Sequence, residues 1–322
     1  MAVAVLEYDP NSSKRLVSQG ERKTPSSHHR VGGDSSVGAV VYRKAAAGDL
    51  PAEYSIFVAA LTELHQRHAV PWIAPQLAHW AAVHQHLLRH DGERSFVAEH
   101  EGRVVGFSAA LVRGDLWFFS WLFIHPEFQG QGIGRRLFDL SRDGPYARQV
   151  TITDAIQPVS TGMYAQQGLV PATPILNFGG QPTLIPPPGI EAATPRADAI
   201  AAVDSVAYRC DRAIDHEFWR EHARLTLWVR DGAPVAYSYA RPDGFVGPVA
   251  GLDPAAAAGA LRAELARLNG QEVRVMIPGT SRELVEVAFA ARLRFSTMPG
   301  LLQLSRTVNA PRCLAISGYW LY

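Results

Sequence analysis

The chain has 322 residues, 47% of them apolar and 19% charged, with a formal net charge of +1. That balance suits about two packed domains and offers no electrostatic ground for a nucleic acid or an anionic membrane as partner. The two cysteines, Cys210 and Cys313, are too few for a disulfide framework or a cysteine-built zinc site.

Residues 1–38 are polar and rich in serine, glycine and charge, which predicts a disordered tail without the apolar stretch of a signal peptide. From Val40 the character changes to a short strand, then Asp49 as a helix cap with Pro51 in the first turn. The helix that follows turns Tyr54, Phe57, Val58, Leu61 and Leu64 inward. A second helix is expected over 75–89, with Leu77, Trp80, Val83 and Leu87 inward. His86 and His90 stand four apart on it, a spacing metal ligands use, with Asp91, His79 and His84 nearby. No third ligand is evident, so no metal is expected and the histidines read as a polar helix face or the rim of the acceptor cleft.

"SFVAEHEGRVVGFSAALV" is a hairpin turning at Glu101-Gly102. The run "LWFFSWLFI" at 116–124 is far shorter than the ~20 residues that span a bilayer. Its near-continuous hydrophobicity makes it a central strand, buried on both faces. The glycine-rich "HPEFQGQGIGRRLF" (125–138) follows, then a helix over 134–141, a strand over 148–153, a short helix near 158–167 and a strand at "TPILNF". A first domain is therefore set at 39–180. A proline-rich linker at 181–189 leads to a second domain at 190–310 and a tail at 311–322. The expected location is the cytoplasm.

The second half repeats the order of the first. "LTLWVRDGAPVAYSYA" matches the hairpin with Asp231-Gly232 in the turn, "FVGPVAGLDP" matches "FFSWLFIHP", and "PGLLQL" matches "TPILNF". The turn glycine lies 24 residues before Pro126 in one half and 22 before Pro254 in the other, which supports a duplication.

A strand that stops, a turn of glycines and a helix start gather main-chain N–H groups and the positive end of a helix dipole around one small volume. Glycine lets the backbone close on phosphate oxygens, and Arg135 and Arg136 add charge at the rim. A plain tight turn is the competing reading. The spacing is neither the G-x-G-x-x-G of a dinucleotide fold nor a P-loop. Gln129-Gly130-Gln131-Gly132-Ile133-Gly134 instead fits Q/R-x-x-G-x-G/A, and the chain resembles the GNAT acetyltransferase superfamily in this loop and in its order of elements. "DAIQPVSTGMYAQQGLVP" (154–171) looks like that superfamily's second motif, with Tyr164 four residues before Gly168. Gln157 stands where asparagine is usual. The duplicated layout resembles tandem GNAT proteins such as mycothiol synthases. A thioester chemistry that builds such a thiol rests on that layout alone.

The resemblance implies two tandem GNAT-like α/β domains, each a mixed, largely antiparallel sheet flanked by helices. It implies acetyl-coenzyme A as co-substrate, with its diphosphate on the amides of Gln129, Gly130, Gln131, Gly132, Ile133 and Gly134, beside Arg135. Gln157 and Ser160 complete the set. Its pantetheine arm would pair with Leu122, Phe123 and Ile124, provided the strands at 117–125 and 148–153 splay apart. An amine of a small molecule or peptide would attack the thioester directly. A strand amide near Leu122 would stabilise the oxyanion, and Tyr164 would protonate the leaving thiolate. A lysine-like amine is protonated in all but about one part in a thousand at neutral pH, so a base is needed. Strand 117–125 offers no carboxylate, which leaves Asp154 and Glu99 as candidates.

The second half lacks these features. Aligning Arg292 with Gly168 puts Ala288 opposite Tyr164, and "GLDPAAAAGALR" replaces the glycine loop, so this half is expected to be degenerate and to wall the acceptor site. The alternative function is a catalytically silent acyl-CoA-binding or scaffold protein, favoured if Tyr164 faces the core. The acceptor's identity is open from sequence, and a monomer or homodimer is expected.

Overall fold

The computed structural model describes residues 39–322; the expected tail at 1–38 lies outside the described residues. In chain order the elements are β1 (Val41–Lys44), α1 (Leu50–Arg67), α2 (Leu77–Asp91), β2 (Phe96–His100), β3 (Arg103–Arg113), β4 (Leu116–Ile124), α3 (Ile133–Ser141), β5 (Arg148–Asp154), α4 (Pro158–Gln166) and β6 (Val170–Gly180). They continue as β7 (Glu191–Ala193), α5 (Ala197–Ala207), α6 (Ala213–His222), β8 (Arg224–Arg230), β9 (Ala233–Ala240), β10 (Phe245–Gly251), α7 (Pro254–Arg267), β11 (Val273–Pro278), α8 (Arg282–Ala290), β12 (Arg294–Phe295), β13 (Gly300–Leu304) and β14 (Leu314–Ala315).

The two hairpins turn where the sequence places them. Glu101-Gly102 and Asp231-Gly232 both adopt left-handed backbone, with φ of 50° and 76° and of 52° and 76°. That is the twist a two-residue hairpin requires. Asp49 precedes α1, but its carboxylate serves the entering chain, accepting from Ala46 N–H at 2.8 Å and from Arg43 at 2.7 Å. Leu77, expected to face inward, is exposed at the start of α2. Trp80, Val83, His84 and Leu87 carry that packing face.

All strands join one mixed, mostly antiparallel sheet in the order β1-β2-β3-β4-β5-β13-β6-β11-β10-β9-β8-β7, with β12 beside β6 and β14 beside β10. The order reveals a reciprocal exchange. β13, from the second half of the chain, lies between β5 and the first part of β6. The last part of β6, Ile175–Gly180, lies between β11 and β12. Each half therefore completes its sheet with a strand from the other, and the linear cut at residue 180 does not separate the sheet into two. Residues 311–322, expected as a tail, run instead into the core: Leu314, Ala315, Ile316, Leu321 and Tyr322 are buried.

Among the polar clusters inside this packing, two involve histidines of α2. Asp215 on α6 is held by Arg113 of β3 through Nη2 at 2.7 Å and Nε at 3.0 Å, with His86 of α2 at 3.1 Å. Arg113 also donates to Asp91 at 2.9 Å. Burial alone would raise the Asp215 carboxyl, but His86, Arg113 and Arg212 hold it well below the usual carboxylate range.

The second cluster pairs Glu53 of α1 with His84 of α2, both fully buried, Oε2 and Nδ1 being 3.1 Å apart but out of hydrogen-bond alignment. Burial pushes Glu53 up to about 8 and His84 down to about 3. The folded pair thus keeps one proton from pH 3 to 8. The unfolded chain holds two below the ordinary glutamate value, one between that and the ordinary histidine value, and none above. Folding therefore takes up a proton between about pH 6.5 and 8, and stability should fall by about 1–2 kcal/mol as pH rises through that window. Chemical denaturation at pH 6 and pH 8 checks this, and Glu53→Gln should flatten the decline.

Candidate active site

β4 pairs in parallel with β5 only from Leu116 to Phe119, opposite Arg148–Thr151. Its register against β3 shifts by one, Ala109 opposing Trp121 but Ala110 opposing Phe119. Ser120 is therefore a bulge that bends the strand. Beyond it the two strands splay, and Thr151 Oγ1, donating to Phe119 O at 2.9 Å, is the last tie. The His125 N–H donates to Val105 O on β3 at 2.8 Å. By strand alternation the N–H groups of Leu122 and Ile124 then face the opening, whereas the main chain of Phe123 faces β3. Phe123 contributes its side chain to the opening, not the backbone pairing expected of it.

The opening widens into a cleft of about 1,160 Å³ that runs from the glycine loop to residues of the second half. At the loop, Gly130 and Gly132 take φ of 77° and 83°, a conformation side chains resist. Gly132 precedes α3 with no side chain to cap it. The first main-chain bond there runs from Arg136 N–H to Gly132 O at 3.2 Å, so the amides of Ile133, Gly134 and Arg135 have no partner within the helix. Gln129, Gly130, Gly132, Ile133, Gly134 and Arg135 line the cleft. Gln131 is exposed, its Nε2 donating to Glu127 O at 3.3 Å, and does not line it. Gln129 Nε2 donates to Ile124 O at 3.1 Å, tying the loop to the strand.

α4 forms the opposite lip. Gln157 caps it by accepting from Val159 N–H at 3.3 Å, and both Gln157 and Ser160 line the cleft. Tyr164 also lines the cleft, yet its ring is 5% exposed and packs on Phe119 and Phe138 at 5.8 and 5.9 Å. Burial pushes its phenol well above the ordinary value.

Asp154 ends β5 at the cleft wall, where burial raises its carboxyl and His65 opposes the rise. The sequence reading missed His65: it follows Leu64 on α1, and its place in the cleft wall depends on Leu61 O, 2.9 Å from its Nδ1, and on packing against Trp72 at 5.7 Å. Nearby, the Tyr319 hydroxyl accepts from Asn177 Nδ2 at 3.1 Å. It is seated over Gly300, where a Cβ would lie 2.6 Å from the Tyr319 oxygen. Glu99, the other base candidate, is on β2, outside the cleft, and bound by Arg43 at 2.7 Å.

The histidines of α2 do not form a polar face. His84 and His86 are buried in the clusters above, and His79 alone of the four lines the cleft. Among the described residues no group of three His, Cys, Asp or Glu is placed to hold a metal ion.

The second half has the same frame with its opening filled. β10 pairs with β11 only at Phe245–Val246, and its register against β9 shifts between Val246 and Val249 as β4's does at Ser120. Into that opening runs β14: Leu314 and Ala315 pair with Ala250 and Val249, and Ile316 N–H donates to Met276 O at 3.0 Å. Gly247 allows the approach, since a Cβ there would sit 2.4 Å from Ile316 O. The start of α7 is taken by Asp253, which accepts from Ala256 N–H at 2.7 Å. The correspondence of Arg292 with Gly168 is also visible. Both residues are left-handed, and the bonds Leu293 N–H to Ala288 O and Leu169 N–H to Tyr164 O are each 3.0 Å.

Residues 91–168 match the family model of the acetyltransferase (GNAT) domain. Among solved structures, a candidate acetyltransferase of Pyrococcus horikoshii is similar with a TM-score of 0.69 at 16% identity, over 92% of this chain and 99% of its own. A GCN5-related N-acetyltransferase from Sphaerobacter thermophilus gives 0.58 at 16% identity, over 85% and 97%. A tandem GNAT protein from the clavulanic acid biosynthesis pathway gives 0.53 at 16% identity, over 84% and 100%. No curated protein sequence matches the chain. The splayed strand pair, the glycine loop and their filled counterpart thus sit within a shared architecture: the chain has the tandem GNAT fold and carries that superfamily's acetyltransferase domain at residues 91–168.

Proposed function

We propose that the chain transfers an acetyl group from acetyl-coenzyme A to an amine by direct attack, using the first half alone for the cofactor. The observation that carries this reading is the asymmetry of the two openings. One is free, with uncapped amides at residues 133–135 and strand amides at Leu122 and Ile124 facing it. The other is occupied by the chain's own residues 313–316 and Asp253. The free amides suit a diphosphate, and the strand edge suits the amide-bearing pantetheine arm. Asp154, with a raised carboxyl at the cleft wall, takes the amine's proton; of the two candidate bases it is the one that lines the cleft. Nitrogen then attacks the thioester carbonyl, whose oxygen is met by the Leu122 amide. The carbon–sulfur bond breaks, the thiolate takes the Tyr164 proton, and the proton shed by the new amide nitrogen restores the phenol.

The silent-binder reading is favoured by one observation, the burial of Tyr164 among Phe119 and Phe138. Calorimetry and thiol release separate the two. Coenzyme A should bind at one site per chain. Gly132→Val, which forces a β-branched residue into φ of 83°, should weaken that binding at least tenfold. Acceptor-dependent thiol release across amines, aminoglycosides and peptides would support the enzyme. Binding without any release would favour the silent protein, and no binding would sink both.

A further inference from the structure

Past the splayed strands the cleft continues over one face of the sheet toward the second half. Its middle is aromatic: Phe57 of α1, Trp72, Phe123 of β4 and Trp320, which stacks on Trp121 at 4.8 Å. The Ser120 hydroxyl at the bulge donates to Trp320 O, which fixes this wall beside the opening. At the far end the character reverses. Arg241 and Arg274 converge on one oxygen of Asp243, Oδ2, at 2.6 and 3.0 Å. The other oxygen accepts from Phe245 N–H at 3.3 Å. Two guanidinium groups thus share a single carboxylate, with the imidazoles of His79 and His222 on the same wall.

Asp154 and Asp243 are the carboxylates among the cleft-lining residues, so at the far end two guanidinium groups face one carboxylate, with Glu221 and Glu272 lining the adjoining groove. Burial lowers Arg241 from its ordinary value, and repulsion from Arg274 adds to this, against the pull of Asp243. A guanidinium held in a half-buried wall is costly unless its remaining donors meet an anion, and its planar fork matches carboxylate and phosphate.

The ladder gives the span. Asp154 opposes Gly300, Gly300 opposes Ile175 and Ile175 opposes Pro278. Strand alternation then puts Asp154, Asn177, Met276 and Arg274 on one face. Three strand spacings and four residues of rise separate Asp154 from Arg274, about 15–20 Å after allowance for side-chain reach.

We propose that the acceptor is an amine with an apolar body and an anionic far end, carboxylate or phosphate, its nitrogen at Asp154 and its anion at Arg241 and Arg274. The assignment of the amine end rests on the acetyltransferase reading; the anion end rests on the arginines alone.

Binding of product-like ligands tests this without turnover. Acetyl-Ala-Phe-Leu-Ala-Ala, which spans about 17 Å when extended, is prepared as the free acid, as the amide, and as an amide ending in phosphoserine. Each is titrated calorimetrically into the full chain saturated with coenzyme A. The acid or the phosphoserine form should bind at least tenfold more tightly than the amide, and whichever leads identifies the anion. The variant R241Q/R274Q should bind all three alike with its coenzyme A affinity kept. R274Q, at an exposed position, should fall between if the double variant folds poorly. Equal binding of the three forms, binding of none, or a preference that survives in the double variant overturns the proposal. The unacetylated acid separates the two readings. Preferred binding of the anionic form without acetyl transfer would overturn the enzyme reading alone, and transfer to acid and amide with equal efficiency would overturn this one alone.

Discussion

Tyr164→Phe is expected to lower kcat by about 100-fold or more while leaving coenzyme A affinity unchanged, the effect usual for loss of a positioned general acid. The ring would stay where it is, because Phe119 and Phe138 hold it by aromatic contact and not through the hydroxyl. Only the proton is removed. A phenol pushed above its ordinary value by burial is a poor donor to water but stays protonated across the working pH range. It shares its proton only when the departing thiolate, a stronger base than water, develops beside it. Two readouts decide the outcome: steady-state thiol release, and calorimetric affinity for coenzyme A. Full turnover in the variant would remove Tyr164 from the chemistry. Loss of cofactor binding along with turnover would make it a packing residue.

Asp215→Ala is expected to destabilise the fold by about 3–5 kcal/mol, the usual result of leaving a buried charge without its partner. Asp215 belongs to the second half of the chain, whereas Arg113 and His86 belong to the first. The substitution would leave Arg113 with Asp91 alone and take the nearest carboxylate from Arg212. The folded pKa of Asp215 lies below the unfolded one, so its contribution is present above the ordinary carboxylate value and lost as pH falls through the folded one. The denaturation midpoint at neutral pH is the measurement. Asp198→Ala, which breaks an exposed pair with Arg196, should leave the midpoint unmoved and serves as the control. A midpoint unchanged in Asp215→Ala would mean that this ion cluster does not help to hold the two halves together.

The sequence carried much of this architecture in short-range signals. Glu101-Gly102 and Asp231-Gly232 fix the hairpins because few other dipeptides accept that backbone. The glycine loop was legible because its conformation demands its residues. The lost second site was legible from Ala288 and the alanine-rich start of α7, but the chain that fills the opening was not. "PRCLAISGYWLY" carries no pairing signal beyond apolar character, and its place depends on a gap made by strands distant in sequence. The exchange of β6 and β13 was hidden for the same reason, since "TPILNF" and "PGLLQL" suit any central position in a sheet. Glu99 was misread because a carboxylate on a hairpin shows its neighbour only once β1 is paired: Val41 opposes Glu99, which brings Arg43 within reach.

The interleaving of β6 and β13 has a bearing on how this protein could be divided. Cleaving the polypeptide within the proline-rich joint would yield two fragments, neither owning every slat of its own sheet: the leading one would lack the strand beside β5, the trailing one the strand beside β11. Produced separately, each would expose a raw edge and tend to aggregate. Produced together, they should reassemble, which makes residues 181–189 a natural split point for a complementation reporter.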